Sequence, residues 1–130
     1  MYQKKYTIRL FLLFIFALSI LSITTKLLAY EPEVVSWENA HKYYGQYVTV
    51  EGQIVDTHNS GKACFLNFHP DWKKHFTAVI FSFAFPKFPP HPEKFYEGKK
   101  VRVTGKVKEY QGKPEIILED PSQIKIISTP

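Results

Sequence analysis

Five histidines (His41, His58, His69, His75 and His91) and one cysteine, Cys64, are the side chains of this 130-residue chain with the widest chemical range. The run His69-Pro-Asp-Trp-Lys-Lys-His75 could offer two imidazoles and a carboxylate to a metal ion. No HExxH, CxxC or closely paired histidine spacing supports such a site, so neither a metal nor another cofactor is expected. Catalysis has no better footing. Asp56 and His58 sit together, and Ser60, Ser82 and Ser122 are scattered through the chain. Nucleophile elbow, phosphate loop and glycine fingerprint are all missing, and the expectation is a non-catalytic protein. Cys64 has no partner for an intrachain disulfide, and within the apolar run Ala63–Phe68 it reads as buried and inert.

The chemistry that remains is binding through aromatic rings and cations, which strands must present. Gly45–Ile54 (GQYVTVEGQI) aligns without a gap on Gly98–Val107 (GKKVRVTGKV), fifty-three residues later. In both copies valines alternate with polar residues, so one face is buried and the other wet. The glycine inside each copy predicts a bulge or a bend at a barrel corner. Ahead of them, Ser36–Tyr44 reads as a two-turn helix capped by Ser36 and ended by Gly45, with Trp37, Ala40 and Tyr44 facing a core. Strands are predicted at Gln46–Thr57, Ala63–His69, Phe76–Phe83, Lys99–Tyr110 and Glu115–Glu119, with a last short one at Gln123–Ile127. Four prolines make Phe85–Pro92 an extended loop packed by Phe85 and Phe88. Five strands, one long connection between the third and fourth, and a bend in the first and fourth predict an all-β, five-stranded Greek-key barrel of the OB-fold type.

The first 29 residues stand apart. Lys4, Lys5 and Arg9 precede the apolar run Leu10–Ile23, followed by Thr24-Thr25-Lys26-Leu27-Leu28-Ala29. Fourteen apolar residues suit a signal-peptide core better than a span of roughly 20. The segment is expected to be a signal peptide cleaved after Ala29 or a retained membrane anchor. Both place the remainder outside the cytoplasm, periplasmic or secreted, with residues 30–35 as linker and 36–130 as the domain. The formal net charge of +5 shrinks accordingly. Residues 1–29 hold four of the 17 Lys and Arg, and the rest sets 13 against 12 acids, a balance of +1. Total charge therefore carries no argument for nucleic-acid binding, and only the placement of charges can.

Several segments together resemble a known family. They are Val48-x-Val50-x-Gly52-x-Ile54, Gly61-Lys-Ala-Cys-Phe-Leu-Asn-Phe68, Phe76-Thr-Ala-Val-Ile-Phe81 and Tyr96-x-Gly98-x-x-Val101-x-Val103-x-Gly105. Tyr110-x-Gly112-x-Pro114-Glu115-Ile116 and Asp120-Pro-Ser-Gln-Ile124 complete the set. They resemble the small bacterial, exported OB-fold domains of the nucleic-acid-binding type. The resemblance implies that fold, and binding of single-stranded nucleic acid or another anionic oligomer. Membrane-anchored haem chaperones share the layout but place a His and a Tyr four residues apart after the barrel. His91 and Tyr96 are five apart and precede the fourth strand.

OB folds bind across the outer face of their second and third strands. That face would show Phe65, Asn67 and His69 beside Thr77, Val79 and Phe81, with Lys73, Lys74 and His75 at its rim. Rings that stack bases beside cations that meet phosphates are what single-strand binding needs. Phe65, Asn67, His69, Lys74 and Phe81 are the candidate site. The competing reading covers both phenylalanines with the Phe85–Pro92 loop. Lys100, Arg102, Lys106 and Lys108 alternate along the fourth strand and form a candidate secondary cationic row. A solvated strand guarded against aggregation by lysines would show the same pattern. A periplasmic module binding a protein or small ligand through the same face and the proline-rich loop Phe85–Pro92 is the alternative function.

Overall fold

The computed structural model describes residues 2–28 and 31–128. The chain divides into two compact units, Met1–Glu31 and Pro32–Pro130. The first contains one helix, α1 (Tyr2–Leu28), of 27 residues. Among the described residues no helix is long and apolar enough to cross a membrane. The cleavage point after Ala29 lies outside the described residues.

Among the described residues the second unit holds nine short strands in two sheets, where the sequence predicted five long strands in one closed barrel. β1 (Val34–Ser36), β2 (Tyr47–Gln53), β6 (Lys100–Lys106) and β9 (Ile124–Ser128) form the first sheet, in the order β1-β2-β6-β9. β3 (Asp56–Asn59), β4 (Ala63–Asn67), β5 (Thr77–Phe81), β8 (Lys113–Ile117) and β7 (Lys108–Tyr110) form the second, in the order β3-β4-β5-β8-β7. Each long strand expected from the sequence is split between the sheets. The first becomes β2 and β3, interrupted at Ile54-Val55, and the fourth becomes β6 and β7, interrupted at Val107. β5 pairs with β8 in parallel, and the other pairs of the second sheet are antiparallel. Val35, inside the segment read as linker, is buried as β1 adds in parallel to β2.

The two sequence repeats are partners. Tyr47 through Gln53 pair antiparallel with Lys106 through Lys100, without a register shift. Of the bulge or bend that the sequence pattern predicted at Gly52 and Gly105, neither glycine is therefore a bulge. Each answers to close approach instead. A Cβ on Gly52 would meet Trp37 Cδ1 at 2.5 Å and Phe68 Cδ1 at 2.7 Å, and one on Gly105 would meet Ile116 Cγ2 at 2.6 Å. The strands cross between sheets two residues later, at Ile54 and Val107, which are fully buried. The core between the sheets includes Val50, Val103, Leu66, Ile80, Ile116 and Leu118, with Phe68 edge-on to Phe76 at 4.9 Å between ring centres.

The expected two-turn helix is a 3-10 helix, Trp37–Lys42, and Ser36 makes no side-chain cap bond. Three residues per turn put Trp37, Ala40 and Tyr43 on one side. Tyr43 therefore packs on the core where the 3.6-residue period had placed Tyr44, which is exposed. The proline-rich segment also differs from the extended loop expected. Ser82–Lys87 is a 3-10 helix and Pro92–Tyr96 a short helix, α2, and Ala84 and Phe88 are buried.

Candidate functional site

The second sheet gathers one polar and aromatic face. Antiparallel register sets Asp56 opposite Asn67 and His58 opposite Phe65. It also sets Phe65 opposite Val79 and Asn67 opposite Thr77, and parallel register sets Thr77 beside Glu115. Lys108 faces Glu115 and Tyr110 faces Lys113 on β7. Directly opposed residues project to the same side of a sheet. The face thus runs from Asp56 and His58 on one edge to Lys108 and Tyr110 on the other.

A cleft of about 530 Å³ opens over this face. Its walls are Phe65, His58, Tyr110 and Trp72, the last from the loop between β4 and β5, and Asp56, Asn67, Lys113 and Glu115 also line it. The His58 and Phe65 rings lie nearly parallel, 16° apart with centres at 6.3 Å. Trp72 and Tyr110 are about half exposed, at 46 % and 51 %. Exposed large rings on a sheet face are surfaces on which a base or another flat group can stack.

Beneath the rings runs a hydrogen-bonded chain. Lys113 Nζ donates to Thr77 Oγ1 at 2.7 Å and to the Trp72 carbonyl oxygen at 2.8 Å. Thr77 Oγ1 donates to Asn67 Oδ1 at 2.9 Å, and Asn67 Nδ2 reaches Asp56 Oδ2 at 3.5 Å. Burial pushes the Lys113 ammonium below its ordinary value, against the pull of Glu115. Burial likewise raises the Glu115 carboxyl, although Lys108 and Lys113 favour its ionised form.

The residues singled out from sequence fall into four places. Phe65 is half-buried on the cleft wall, as its alternation implied. Asn67 lies in the cleft too, but it is buried and bound to Thr77, so it forms floor rather than a free reader. His69 turns away from the face, because the strand ends at Asn67. Its ring packs at a tilt against His75 at 4.0 Å and Trp37 at 5.9 Å between centres, while its Nδ1 accepts from the Asp71 amide at 2.9 Å. Lys74 is exposed beside Asp71, at 3.8 Å, and lines a separate cavity with Trp37, His41 and His75. Phe81 is 37 % exposed and stacks on Phe83 at 6.3 Å, away from the cleft lining.

The cationic row is also divided. Lys100 and Arg102 both meet Glu51, at 3.4 and 2.9 Å, and Arg102's hydrogen bond, foremost, holds the Glu51 carboxyl below its ordinary value. Lys106 remains exposed on β6. Lys108 has passed into the second sheet opposite Glu115, so the four do not form one outward row. Among the described residues no group of three or more His, Cys, Asp or Glu could hold a metal ion. Cys64 is buried against Glu93 and Tyr96, and burial, reinforced by Glu93, pushes its thiol up to about 12.

Trp72, Tyr110, His58 and Lys113 were not singled out as site residues from sequence. A tryptophan in the break between two strands, and a tyrosine and lysine flanking Gln111-Gly112, were the available signals.

The tRNA anti-codon family model, described as an OB-fold nucleic acid binding domain, matches residues 48–126. Comparison with curated proteins gives no match. Among solved structures, asparaginyl-tRNA synthetase from Pyrococcus horikoshii superimposes with a TM-score of 0.53 at 19 % identity, over 77 % of this chain and 24 % of that one. Aspartyl tRNA synthetase from Entamoeba histolytica does so with a TM-score of 0.54 at 15 % identity, over 76 % of this chain and 22 % of that one. The chain thus spans about a quarter or less of these synthetases. OBody AM1L10, bound to hen egg-white lysozyme, is similar over 78 % of this chain and 98 % of its own, with a TM-score of 0.52 and 16 % identity. At these identities the superpositions show a shared fold.

Proposed function

Since the chain belongs to the tRNA anti-codon family of OB-fold nucleic acid binding domains, we propose that it is a non-catalytic binder of single-stranded nucleic acid. The observation that carries the proposal is the cleft of about 530 Å³ walled by Phe65, His58, Trp72 and Tyr110. A volume of that size accepts a base or two, and each stacked base contributes about 1–3 kcal/mol whatever its identity. Lys73, whose ammonium lies 5.6 Å from the Trp72 ring centre, and Lys108 on β7 are placed to meet phosphates. Export rests on Lys4, Lys5 and Arg9 ahead of an apolar run, which is the pattern of a signal peptide or anchor.

Titration of a fluorescent single-stranded oligonucleotide at about 50 and about 200 mM salt tests this reading. Saturable binding that weakens with salt and is lost in the Trp72→Ala, Tyr110→Ala double variant is the expected result. Binding indifferent to both substitutions would overturn it.

One observation favours a second reading, an interaction module for a protein or small ligand. Asp56 and Glu115 set two carboxylates within the cleft, where phosphates gain nothing from them. The balance of 13 cations against 12 acids beyond residue 29 points the same way.

A further inference from the structure

Trp72 combines two properties that seldom coincide. The residue is 46 % exposed, yet its backbone carbonyl is held by the ammonium of a buried lysine. Lys113 is only 6 % exposed, its Nζ lies within hydrogen-bond distance of two oxygens, and it sits 5.6 Å from the centre of the Trp72 ring. The opposite side of the same loop is held as well. The amide of Asp71 donates to His69 Nδ1 at 2.9 Å, and His69 and His75 pack on Trp37. Pro70 and the Asp71–Lys74 turn, closed at 3.2 Å, shorten what slack is left.

A lysine on the binding face of such a fold would ordinarily be assigned to a phosphate. Here the geometry assigns it another task. We propose that Lys113 is a positioning residue: it pins the β4–β5 loop so that Trp72 stands ready as a stacking wall, and it touches no phosphate itself. Two of its three donors are engaged within the protein, with Thr77 Oγ1 in turn donating to Asn67. A ligand phosphate could draw the ammonium out of its place only by leaving Thr77 or the Trp72 carbonyl without its partner in a buried setting, which is costly, and the third donor belongs to a residue that is only 6 % exposed. Fixing a stacking group in its bound orientation before the ligand arrives raises affinity by reducing the ordering cost of binding. This inference rests on the nucleic-acid reading for its purpose, but the pinning can be measured without any ligand.

The test uses the full chain carrying Trp37→Phe, so that Trp72 is the one remaining indole of two. Lys113→Met keeps the length of the side chain and removes its donors. The expected result is increased quenching of Trp72 fluorescence by acrylamide. Oligonucleotide affinity should fall by about tenfold, in the lower range of one lost base stack. The slope of log affinity against log salt should be unchanged, whereas loss of a phosphate contact lowers it by about one. Unaltered quenching, or a salt slope reduced by one, would overturn the proposal.

Should Lys113→Met fail to fold, lysine methylation of the unsubstituted protein decides the matter. Lys113 should stay unreactive with and without oligonucleotide, while Lys108 is modified when free and protected when bound. Modification of Lys113 in the free protein would overturn the proposal. Absence of any oligonucleotide binding would instead defeat the functional reading, leaving the quenching result to stand for the loop alone.

Discussion

Val50 lies opposite Val103 at the centre of the β2–β6 ladder, and both are fully buried. They are also equivalent positions of the sequence repeat, fifty-three residues apart. The pair therefore marks a local two-fold relation that exchanges one copy for the other. Gly45 donates to the Val107 carbonyl as Gly98 donates to that of Ile54, both at 2.8 Å. Val107 donates to Gln46 as Ile54 donates to Lys99, both at 3.0 Å. Gly45 and Gly98 each take φ of 79°, which only glycine adopts without strain. Similar sequences thus make similar arms that close on each other and hand two bent strands to the second sheet.

Gly105 is predicted to tolerate no side chain. A methyl group there would lie 2.6 Å from Ile116 Cγ2, so Gly105→Ala should cost about 1–3 kcal/mol as overpacking does. Urea denaturation checks this. Combining it with Ile116→Ala should give a loss smaller than the sum of the two, since the second change removes the obstructing methyl.

Stacking should depend on the rings in the cleft and not on Phe81. Trp72→Ala and Tyr110→Ala are each expected to weaken oligonucleotide binding about tenfold. Phe81→Ala, whose ring pairs with Phe83 instead, should leave affinity within about twofold by the same measure. Fluorescence anisotropy reads all three.

The cations should differ in salt dependence. Lys108→Ala is expected to lower the salt slope by about one. Arg102→Ala should not, because Glu51 already meets that guanidinium at 2.9 Å. Affinity measured across a salt series separates them.

Glu115 yields a pH signature. Burial raises its carboxyl above the ordinary 4.5, so the folded protein holds that proton more tightly than the unfolded chain. As pH rises through 4.5 the unfolded state releases the proton first, and the group becomes destabilising once its folded value is passed. Glu115→Gln should therefore melt like the parent at low pH and at a higher temperature near neutrality. Equal melting temperatures at both pH values would contradict this.

Cys64 should be silent. With its thiol pushed up to about 12 by burial and Glu93, almost no thiolate exists near pH 8. A thiol-specific reagent should label it at the rate of global opening, and labelling should become rapid in denaturant.

Alternation along Gly45–Ile54 and Gly98–Val107 was enough to identify two amphipathic strands and their inward valines. Side chains on a strand take opposite faces with a period of two, a local property of the backbone. The placing of Phe65 on the outer face followed from the same rule. Periodicity misplaced Tyr44 because the pattern of a short segment does not distinguish 3.6 residues per turn from three. It also joined Lys108 to Lys100 and Arg102, because nothing in the alternation shows that Val107 carries the chain into another sheet.

Neighbours along the chain were enough to specify an all-β domain of the OB-fold type and the residues that build its two repeated arms. The cleft, by contrast, is assembled by contacts between distant segments. Lys113, Thr77 and Asn67 become one chain of hydrogen bonds because β4, β5 and β8 lie side by side, although Lys113 and Thr77 are 36 residues apart. Trp72 enters the cleft because its loop is pinned from the far strand. Such convergence depends on pairing between distant segments, which residue types and spacing do not record.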